Sequence, residues 1–291
     1  MEILELKRFV AIANLQSLQL AAIDLNTTPS ALSKSLKKLE SSLGVLLFDR
    51  VGKQLVLNKN GARLLPEAIK ILDITRSTQI ALAPTNTVFT CRVSAPAILQ
   101  YRWISLFGAA ASGILIEYES DFEMEALNKV KQGLVDVALT TSLVRPHLNE
   151  ELEAMPIGEL TLELAVGKTH PLACKHSVTP LELSSYPFAV PNTSPFCGEF
   201  RGSSCDGWYD DTMNRQIKWI VNDYAALCEL VKNGLAIAYL PDYMLSAWQL
   251  RKLTRQCDKK NHTEQVFAIY RRNVPSWIKS LVEEIHLDSG K

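Results

Sequence analysis

The sequence predicts a multidomain α/β protein with three consecutive parts: a small helical module with a hairpin, one long helix, and a larger body. Apolar residues recur at helical spacing in three short segments of the first sixty residues. A single amphipathic run then extends from about 62 to 82. From residue 88 onward, apolar strand-like runs alternate with helical patterns, which predicts an α/β body with mostly parallel sheets. We expect part boundaries at 1–60, 61–87 and 88–291.

The charge of the chain is unevenly distributed. Over all 291 residues the formal net charge is +0, and the apolar fraction of 47% is that of an ordinary globular protein. Residues 1–60, however, carry eight lysines and arginines against five carboxylates, a net charge of +3, so the rest of the chain carries −3. A basic end on a mildly acidic body is typical of a nucleic-acid-binding module joined to a sensing body.

The sequence contains no membrane-spanning pattern. No apolar run approaches the ~20 residues needed to cross a bilayer. The opening segment MEILELKRFV has two glutamates near its start and is amphipathic, unlike a signal peptide, and six cysteines in so long a chain do not indicate a secreted disulfide framework. We therefore expect a cytoplasmic protein with reduced thiols and no membrane partner.

Capping residues separate three short helices in the first sixty residues. Leu6 and Phe9 begin the apolar spacing of the first helix, and Ser17 is placed to cap the second. Thr28 is placed to cap the third, with Pro29 at its first position, where the missing N–H costs nothing. Three short helices with a break of two or three residues before the third predict a helix-turn-helix.

The third helix has two contrasting faces. Leu32, Leu36, Leu39 and Leu43 form an apolar stripe that we expect to face inward. The opposite face carries short hydroxyls and long cations but no carboxylate, whereas a helix built for solubility more often alternates glutamate with lysine. This outer face is suited to a phosphate backbone, with a plain solvated face as the alternative. Its members are Ser30, Ser33, Lys34, Lys37 and Ser41.

A short hairpin follows the third helix. We expect the apolar run 46–48 to pack on the helical core, while Leu55 and Leu57 alternate with polar residues as in a strand. The intervening turn is basic and can therefore lie over phosphates or a minor groove. It contains Arg50, Gly52 and Lys53.

This N-terminal module closely resembles the winged helix-turn-helix of LysR-type transcriptional regulators. The resemblance rests on LKRFVAIANLQSLQLAAIDLNTTPSALSKSLKKLESSLGVLLFDR and the following LVLNKNGARLLPEAIKIL. One departure is Gln16, where the family usually has glycine. The resemblance implies that the third helix enters the major groove and that the basic wing flanks it. The expected DNA-facing residues are Thr28, Pro29, Ser30, Ser33, Lys34, Lys37, Arg50 and Lys53.

Apolar residues at 64, 65, 68, 69 and 72 predict one long amphipathic helix, capped near Asn60 and ended by Pro84. Outside a domain, such a helix needs a partner for its apolar face. In LysR-type regulators the equivalent helix pairs with that of a second subunit, so the resemblance implies a homodimer, or a tetramer made of two dimers. Packing of the helix on its own chain is the alternative.

The body resembles the two-lobed effector domain of the same family, which shares its architecture with periplasmic binding proteins. The segments GLVDVALTT, THPLA and VKNGLAIAYLP occur in the expected order. The resemblance implies a small-molecule site between the lobes, and ligands of open α/β sheets bind at the carboxyl ends of strands. Ordinary loop roles are the alternative for each position. The expected effector-binding residues are Ser94, Ala95, Pro96, Ser120, Asp121, Thr140, Thr141, Pro191, Asn192 and Thr193.

Cysteines and histidines carry weaker signals. Cys197 and Cys205 lie in a glycine-rich segment and are candidates for a redox pair, because some peroxide-sensing LysR-type regulators have a reactive pair in the corresponding lobe. Two inert cysteines are the favoured interpretation. The segment THPLACKH has no second ligand pair with zinc spacing, so we expect no metal. The other four cysteines are interpreted as packing residues.

The resemblance implies a DNA-binding transcriptional regulator whose binding to double-stranded promoter DNA responds to a small molecule, or to an oxidant, in the body. It implies no enzymatic activity and leaves room for a contact with RNA polymerase. No glycine-rich phosphate loop, nucleophile elbow or HExxH motif is present, so we expect no cofactor. The alternative is a small-molecule-binding protein or enzyme with a helical docking module; only the regulator predicts salt-sensitive DNA binding.

Overall fold

The computed structural model describes residues 1–52, 54–84, 87–110, 113–199, 206, 215–256 and 262–288. The N-terminal module contains three short helices, a two-stranded antiparallel hairpin and the start of a long fourth helix. The bounds are α1 Ile3–Leu15, α2 Leu18–Asp24, α3 Pro29–Leu43, β1 Phe48–Val51, β2 Gln54–Leu57 and α4 Lys59–Ala81.

The helix ends follow from local hydrogen bonds that the sequence predicts. The Ser17 hydroxyl accepts a bond from the Leu20 N–H at 3.3 Å, and the Thr28 hydroxyl accepts one from the Ala31 N–H at 3.2 Å. Both predicted caps are confirmed. Helix α3 stops at Gly44, whose φ of 72° is a left-handed conformation that favours glycine.

The inner stripe of α3 is shorter than the sequence predicts. Leu32, Leu36 and Leu39 are buried in the module core, but Leu43 is 38% exposed, so its predicted inward position is wrong. Leu43 is the last residue of α3, and the left-handed turn at Gly44 carries the chain away from the core there.

The apolar run before the hairpin is also split between core and surface. Leu47 and Phe48 are buried as predicted, and the Phe48 ring meets the Phe9 ring edge-on at 5.7 Å. Leu46 is 64% exposed, so the prediction that it packs on the helical core is wrong. Its carbonyl oxygen instead accepts a hydrogen bond from the Asn58 side chain at 2.9 Å, which fixes the chain just before α4.

Helix α4 begins two residues earlier than predicted and packs on its own chain. The Asn58 side chain caps it by accepting hydrogen bonds from the N–H groups of Asn60 and Gly61. The apolar face of α4 lies on the module core, where Ala68 is fully buried. The alternative of packing on its own chain therefore applies to this part of α4, which α1 and the hairpin cover, while pairing with a second subunit stays a prediction.

The body alternates strands and helices from β3 onward, as predicted, with additional short elements that the sequence analysis does not identify. The bounds are β3 Phe89–Ala95, α5 Ala97–Ala110, β4 Ile114–Ser120, α6 Glu123–Lys131, β5 Val137–Thr141, β6 Leu152–Val166, β7 Ser177–Val178, α7 Pro180–Ser184, β8 Pro187–Val190, β9 Gln216–Ile220, α8 Tyr224–Lys232, β10 Ala238–Pro241, α9 Asp242–Ala247, β11 Arg251–Lys252, β12 Thr254–Arg255, β13 His262–Arg271 and α10 Ser276–Asp288.

The main sheet is mixed rather than mostly parallel, which corrects the prediction. Its order is β10-β6-β13-β5-β3-β4, with β11 also on β6. The pairs β3–β4 and β3–β5 are parallel, but β5–β13, β13–β6 and β6–β10 are antiparallel. The physical reason is that β6 and β13 are long strands that run side by side in opposite directions through the body.

These two long strands connect the lobes. Strands β3, β4 and β5 with helices α5 and α6 form the first lobe, and strands β8, β9 and β10 with α8 form the second. The buried indole of Trp103 on α5 donates to the Ile157 carbonyl oxygen of β6 at 3.1 Å, which fixes α5 on the shared strand. The lobes meet at the carboxyl ends of β3, β4 and β8.

Candidate nucleic-acid interface and interlobe cleft

The first turn of α3 presents its small polar residues to the outside. Thr28, Pro29 and Ser30 are exposed and lie at the start of the helix, where the capped N–H groups carry partial positive charge. Lys34 and Lys37 follow on the same outer face and are also exposed, while Ser33 is half-buried. Neither lysine has an ion pair among the described residues, so both ammonium groups are available to an external anion.

A neighbouring lysine of α3 is engaged inside the module. The Lys38 ammonium lies 2.5 Å from the Glu2 carboxylate and 2.9 Å from that of Glu5. Hydrogen bonds to these carboxylates raise the pKa of Lys38, and the Lys38 bond lowers that of Glu5. These two ion pairs hold α3 against the start of α1. The lysines of one helix are thus divided between a structural role and an outward-facing one.

The hairpin turn brings Arg50 beside the start of α3. A shallow concavity of about 430 Å³ lies between the second helix, the start of α3 and the hairpin, and Pro29 and Arg50 both line it. Gly52 has a φ of 62° in the turn. Lys53, predicted with them, lies outside the described residues. Ser17, Gln19 and Gln54 also line the concavity and are missing from the predicted set, since an isolated serine or glutamine carries no sequence signal for DNA contact.

A second concavity, the interlobe cleft, lies between the two lobes. Its volume is about 330 Å³, and its walls are the starts of α5, α6 and α8 with the segment that follows β8. Five predicted effector residues line it: Pro96, Ser120, Asp121, Pro191 and Thr193.

The remaining predicted effector residues do not line the cleft. Ser94 and Ala95 are fully buried at the end of β3, and the Ser94 hydroxyl donates to the Asp121 carboxylate at 2.7 Å. Thr140 and Thr141 are also fully buried, in β5. The exposed Asn192 donates its N–H to the Asn222 side chain at 2.7 Å, so it positions a lining residue.

Most of the lining that the sequence analysis misses comes from the first turns of helices. The predicted residues all lie at the ends of strands, whereas the helices α5, α6 and α8 that follow also place their first residues on the wall of the cleft. The additional lining residues are Ala97, Ile98, Tyr101, Phe122, Glu125, Ser194, Pro195, Asn222, Asp223 and Tyr224.

The cleft is acidic on both walls. Asp121 is neutralised by the Lys129 ammonium at 2.7 Å, but Glu125 on the first lobe has no ion pair among the described residues. On the second lobe, Asp223 caps α8 by accepting the Ala226 N–H at 2.7 Å. Burial and then the nearby Asp223 carboxylate raise the pKa of Tyr101. Among the described lining residues, none is a lysine, arginine or histidine.

The cysteines divide by environment. Cys197 is half-buried, and its predicted partner Cys205 lies outside the described residues, as does Cys257. Burial raises the pKa of Cys228 to about 12 and that of Cys91 further still, which suits packing roles. Cys174 is exposed, so its interpretation as a packing residue is wrong.

The THPLACKH segment places His170 in the interior of the body. His170 is buried, its Nδ1 accepts the Leu172 N–H at 3.2 Å, and burial lowers its pKa. Within the described ranges, no group of three histidine, cysteine or carboxylate residues is placed to hold a metal ion. In the same ranges, no helix is both long enough and apolar enough to cross a membrane.

Comparisons with known proteins match both parts of the chain. A family model described as a bacterial regulatory helix-turn-helix protein of the lysR family matches residues 3–62, and the LysR substrate binding domain matches residues 90–285. The HTH-type transcriptional regulator MetR of Salmonella typhimurium is 29% identical over 187 residues, 63% of this chain and 58% of that relative. The match thus spans less than two thirds of MetR.

Solved structures show the same fold over nearly the whole chain. A full-length OxyR from Pseudomonas aeruginosa has a TM-score of 0.68 at 18% identity and covers 99% of this chain and 95% of its own. Full-length CbnR in complex with its target DNA has a TM-score of 0.52 at 19% identity over 100% of both chains.

Proposed function

Because this chain belongs to the LysR family of bacterial helix-turn-helix regulators, we propose that it binds promoter DNA and that a small molecule in the interlobe cleft alters this binding. One observation carries the DNA-binding part. The exposed hydroxyls and two unpaired lysines of α3 share its outer face, and Pro29 at the start of that helix lines, together with Arg50, one concavity whose described lining contains no carboxylate. Such a surface is complementary to a phosphate backbone.

In the proposed complex, α3 enters the major groove and the hairpin lies over the flanking backbone. Ser30, Ser33 and Lys34 reach base edges or phosphates from the first two turns of α3, while Arg50 and Lys53 contact phosphates. The proposed division of the chain is 1–60 for DNA binding, 61–87 for linkage and 88–291 for effector binding. CbnR, which has this fold, has been solved with its target DNA and supports this arrangement.

The proposed effector is neutral or cationic rather than strongly anionic. Glu125 and Asp223 on opposite walls repel an anion, and closing the lobes brings these two carboxylates nearer to each other. A cation between them relieves that repulsion, and the rings of Tyr101 and Phe122 offer it favourable faces. The proposed effector-binding residues are therefore the cleft-lining ones, with Ser94 acting through Asp121.

We further propose that the chain works as a cytoplasmic homodimer or as a tetramer of two dimers, without catalytic activity of its own. Placement in the cytoplasm is part of this proposal, since the matching helix-turn-helix family is described as bacterial and its promoter DNA would lie there. A contact with RNA polymerase belongs to this proposal only if the regulator activates transcription. An oxidant signal through Cys197 and Cys205 stays a prediction, and peroxide treatment followed by mass spectrometry tests it by the presence of their crosslink.

A fluorescence titration with labelled duplex across a salt series tests the proposal. We expect binding whose affinity falls steeply as salt rises, because each lysine or arginine on a phosphate releases a counterion. Lys34→Ala and Arg50→Ala should each lower the salt slope by about 1 per bound chain. A flat, negligible signal with the unaltered chain would overturn the DNA-binding function and favour the docking-module alternative.

A matched control separates the interface from net charge. Lys168 is an exposed lysine of the body, hydrogen-bonded to Gln249 at 3.2 Å, so Lys168→Ala removes the same charge far from α3. We expect its salt slope to equal that of the unaltered chain. Equal slopes for all three variants would contradict the assignment of α3 and Arg50 to DNA.

A further inference from the structure

Helix α6 begins at the interlobe cleft, where it is attached to both lobes. Phe122 and Glu125 line the cleft. The Glu123 N–H donates to the carbonyl oxygen of Phe196, in the segment that follows β8, at 3.0 Å. The buried Glu123 carboxylate accepts the Thr141 N–H of β5 at 2.6 Å. Any change in the separation of the lobes therefore acts on the first turn of α6.

The other end of α6 is attached to α4 through one side chain, Arg271 at the end of β13. Its Nη1 donates to the carbonyl oxygens of Val130 at 2.7 Å and Val135 at 2.8 Å. Its Nε and Nη2 donate to the two oxygens of Asp73 on α4, at 2.7 and 3.0 Å. Arg271 is 7% exposed and Asp73 is 6% exposed, so this two-pronged ion pair is shielded from solvent and salt.

Further contacts attach the turn after α6 to the DNA-binding module. The Asn14 side chain of α1 donates to the Gln132 carbonyl oxygen at 3.2 Å. The Arg76 guanidinium of α4 lies 2.5 Å from the Asp136 carboxylate, just before β5. The turn is thus bonded to the helix that packs beside α3 and to the helix that follows the hairpin.

We propose that α6 transmits the occupancy of the interlobe cleft to the DNA-binding module, with the Arg271–Asp73 pair as its joint to α4. This inference rests on the proposed function, since it assigns a route between the two proposed sites. A helix of nine residues is about 13 Å long and moves as a rigid unit. A shift of its first turn therefore also displaces the Val130 carbonyl group, which Arg271 holds together with that of Val135 in the following turn.

The joint is a positioning element, and its geometry explains why arginine and aspartate occupy it. One guanidinium has enough donors to hold one carbonyl oxygen of α6, one of the turn after it and both oxygens of Asp73 at once. An amide at position 73 keeps the size and one acceptor but loses the charge and the second acceptor. Asp73→Asn should therefore loosen the link between α6 and α4 while keeping the packing.

Coupling between two sites is reciprocal, so it can be measured from the DNA side without a known effector. The probe is a duplex that the full chain selects from a random pool. Hydrogen exchange of the full chain is followed by mass spectrometry with and without this duplex. We expect slower exchange in α3, and at least a threefold change in the exchange rates of α6 and of the segment 194–199 at the cleft.

In Asp73→Asn, the duplex should no longer change the exchange rates of α6 and of 194–199, but it should still slow exchange in α3. Glu67→Gln is the matched control, because it makes the same chemical change at an exposed position of α4, and it should behave as the unaltered chain. If Asp73→Asn does not fold, Arg271→Lys serves, since the three donors of one ammonium cannot make the four hydrogen bonds that Arg271 makes.

The outcomes separate this inference from the proposed function. If the duplex slows hydrogen exchange in α3 but leaves the exchange rates of α6 and of 194–199 unchanged, the inference is overturned and the proposed function stands. A cleft response that persists in Asp73→Asn, or in Arg271→Lys in its place, overturns the assignment of the joint. Absence of DNA binding, and hence of α3 protection, overturns the proposed function itself and the inference with it.

Discussion

Gly61 shows how a single missing side chain permits the contact between the hairpin and α4. A Cβ at this position would lie less than 3.0 Å from the Leu47 carbonyl oxygen, which is backbone and cannot move aside, and 2.5 Å from the Leu57 side chain. We expect Gly61→Ala to lower the free energy of unfolding by about 1–3 kcal/mol, because overpacking outweighs the better helix propensity of alanine. Urea unfolding followed by circular dichroism measures it.

Gly108 provides the matched control, because it also lies in a helix and a Cβ there meets nothing within 4 Å. Gly108→Ala should raise the free energy of unfolding by up to ~1 kcal/mol through helix propensity alone. A stabilised Gly61→Ala would contradict the close approach of Leu47.

Single residues also show what the sequence can and cannot predict. Ser17 and Thr28 are predictable as caps because a cap bond spans only three residues of chain. Leu43 continues the periodic stripe of α3 and Leu46 stands in an apolar run, yet both are exposed, because the path of the chain around Gly44 depends on the whole module. Arg271 and Asp73 are 198 positions apart, and only the fold brings them together.

At the scale of elements, a substitution at the N-cap of α3 should change DNA affinity without changing stability. Thr28→Asp keeps the cap, since aspartate is among the best N-cap residues, so the free energy of unfolding should stay within about 0.5 kcal/mol. The same carboxylate faces phosphates in the proposed complex, so duplex affinity should fall by tenfold or more. Chemical unfolding and fluorescence titration give the two quantities.

Thr28→Ala is the control for the cap itself and should cost about 1 kcal/mol of unfolding free energy. Undiminished duplex affinity in Thr28→Asp would mean that the start of α3 does not face DNA.

The elements also differ in how far the sequence predicts their surroundings. Helix α4 is predictable as a long amphipathic helix, but its pattern does not say which surface covers the apolar face, and the module core does so. In the cleft, Ser120 and Asp121 are predictable from the end of β4. Tyr101 and Tyr224 are not, because the first turn of a helix shows no sign of the cavity it will face.

For the whole molecule, self-association must use surfaces that the chain leaves uncovered. On α4, Ile74 is 50% exposed, on the side away from the module core, and Leu82 just after the helix is 82% exposed.

If the proposed dimer pairs the outer faces of α4, Ile74→Glu should shift the mass in analytical ultracentrifugation toward the single chain, because two buried carboxylates repel. Gln79→Glu adds the same charge on a different side of α4 and should leave the mass unchanged. An undiminished mass in Ile74→Glu would exclude this face.

The two strands shared by the lobes determine how the cleft can close. Strands β6 and β13 are continuous through both lobes, and their ten-residue ladder is interrupted by a bulge where Val266 and Phe267 face Gly158 and Pro156. The bulge lies beside the end of β5, between the part of β6 that serves the first lobe and the part that pairs with β10. Bulges concentrate twist. The lobes are therefore joined by a continuous twisted ribbon rather than by a single flexible segment, and we expect any change in their separation to concentrate as twist at this bulge.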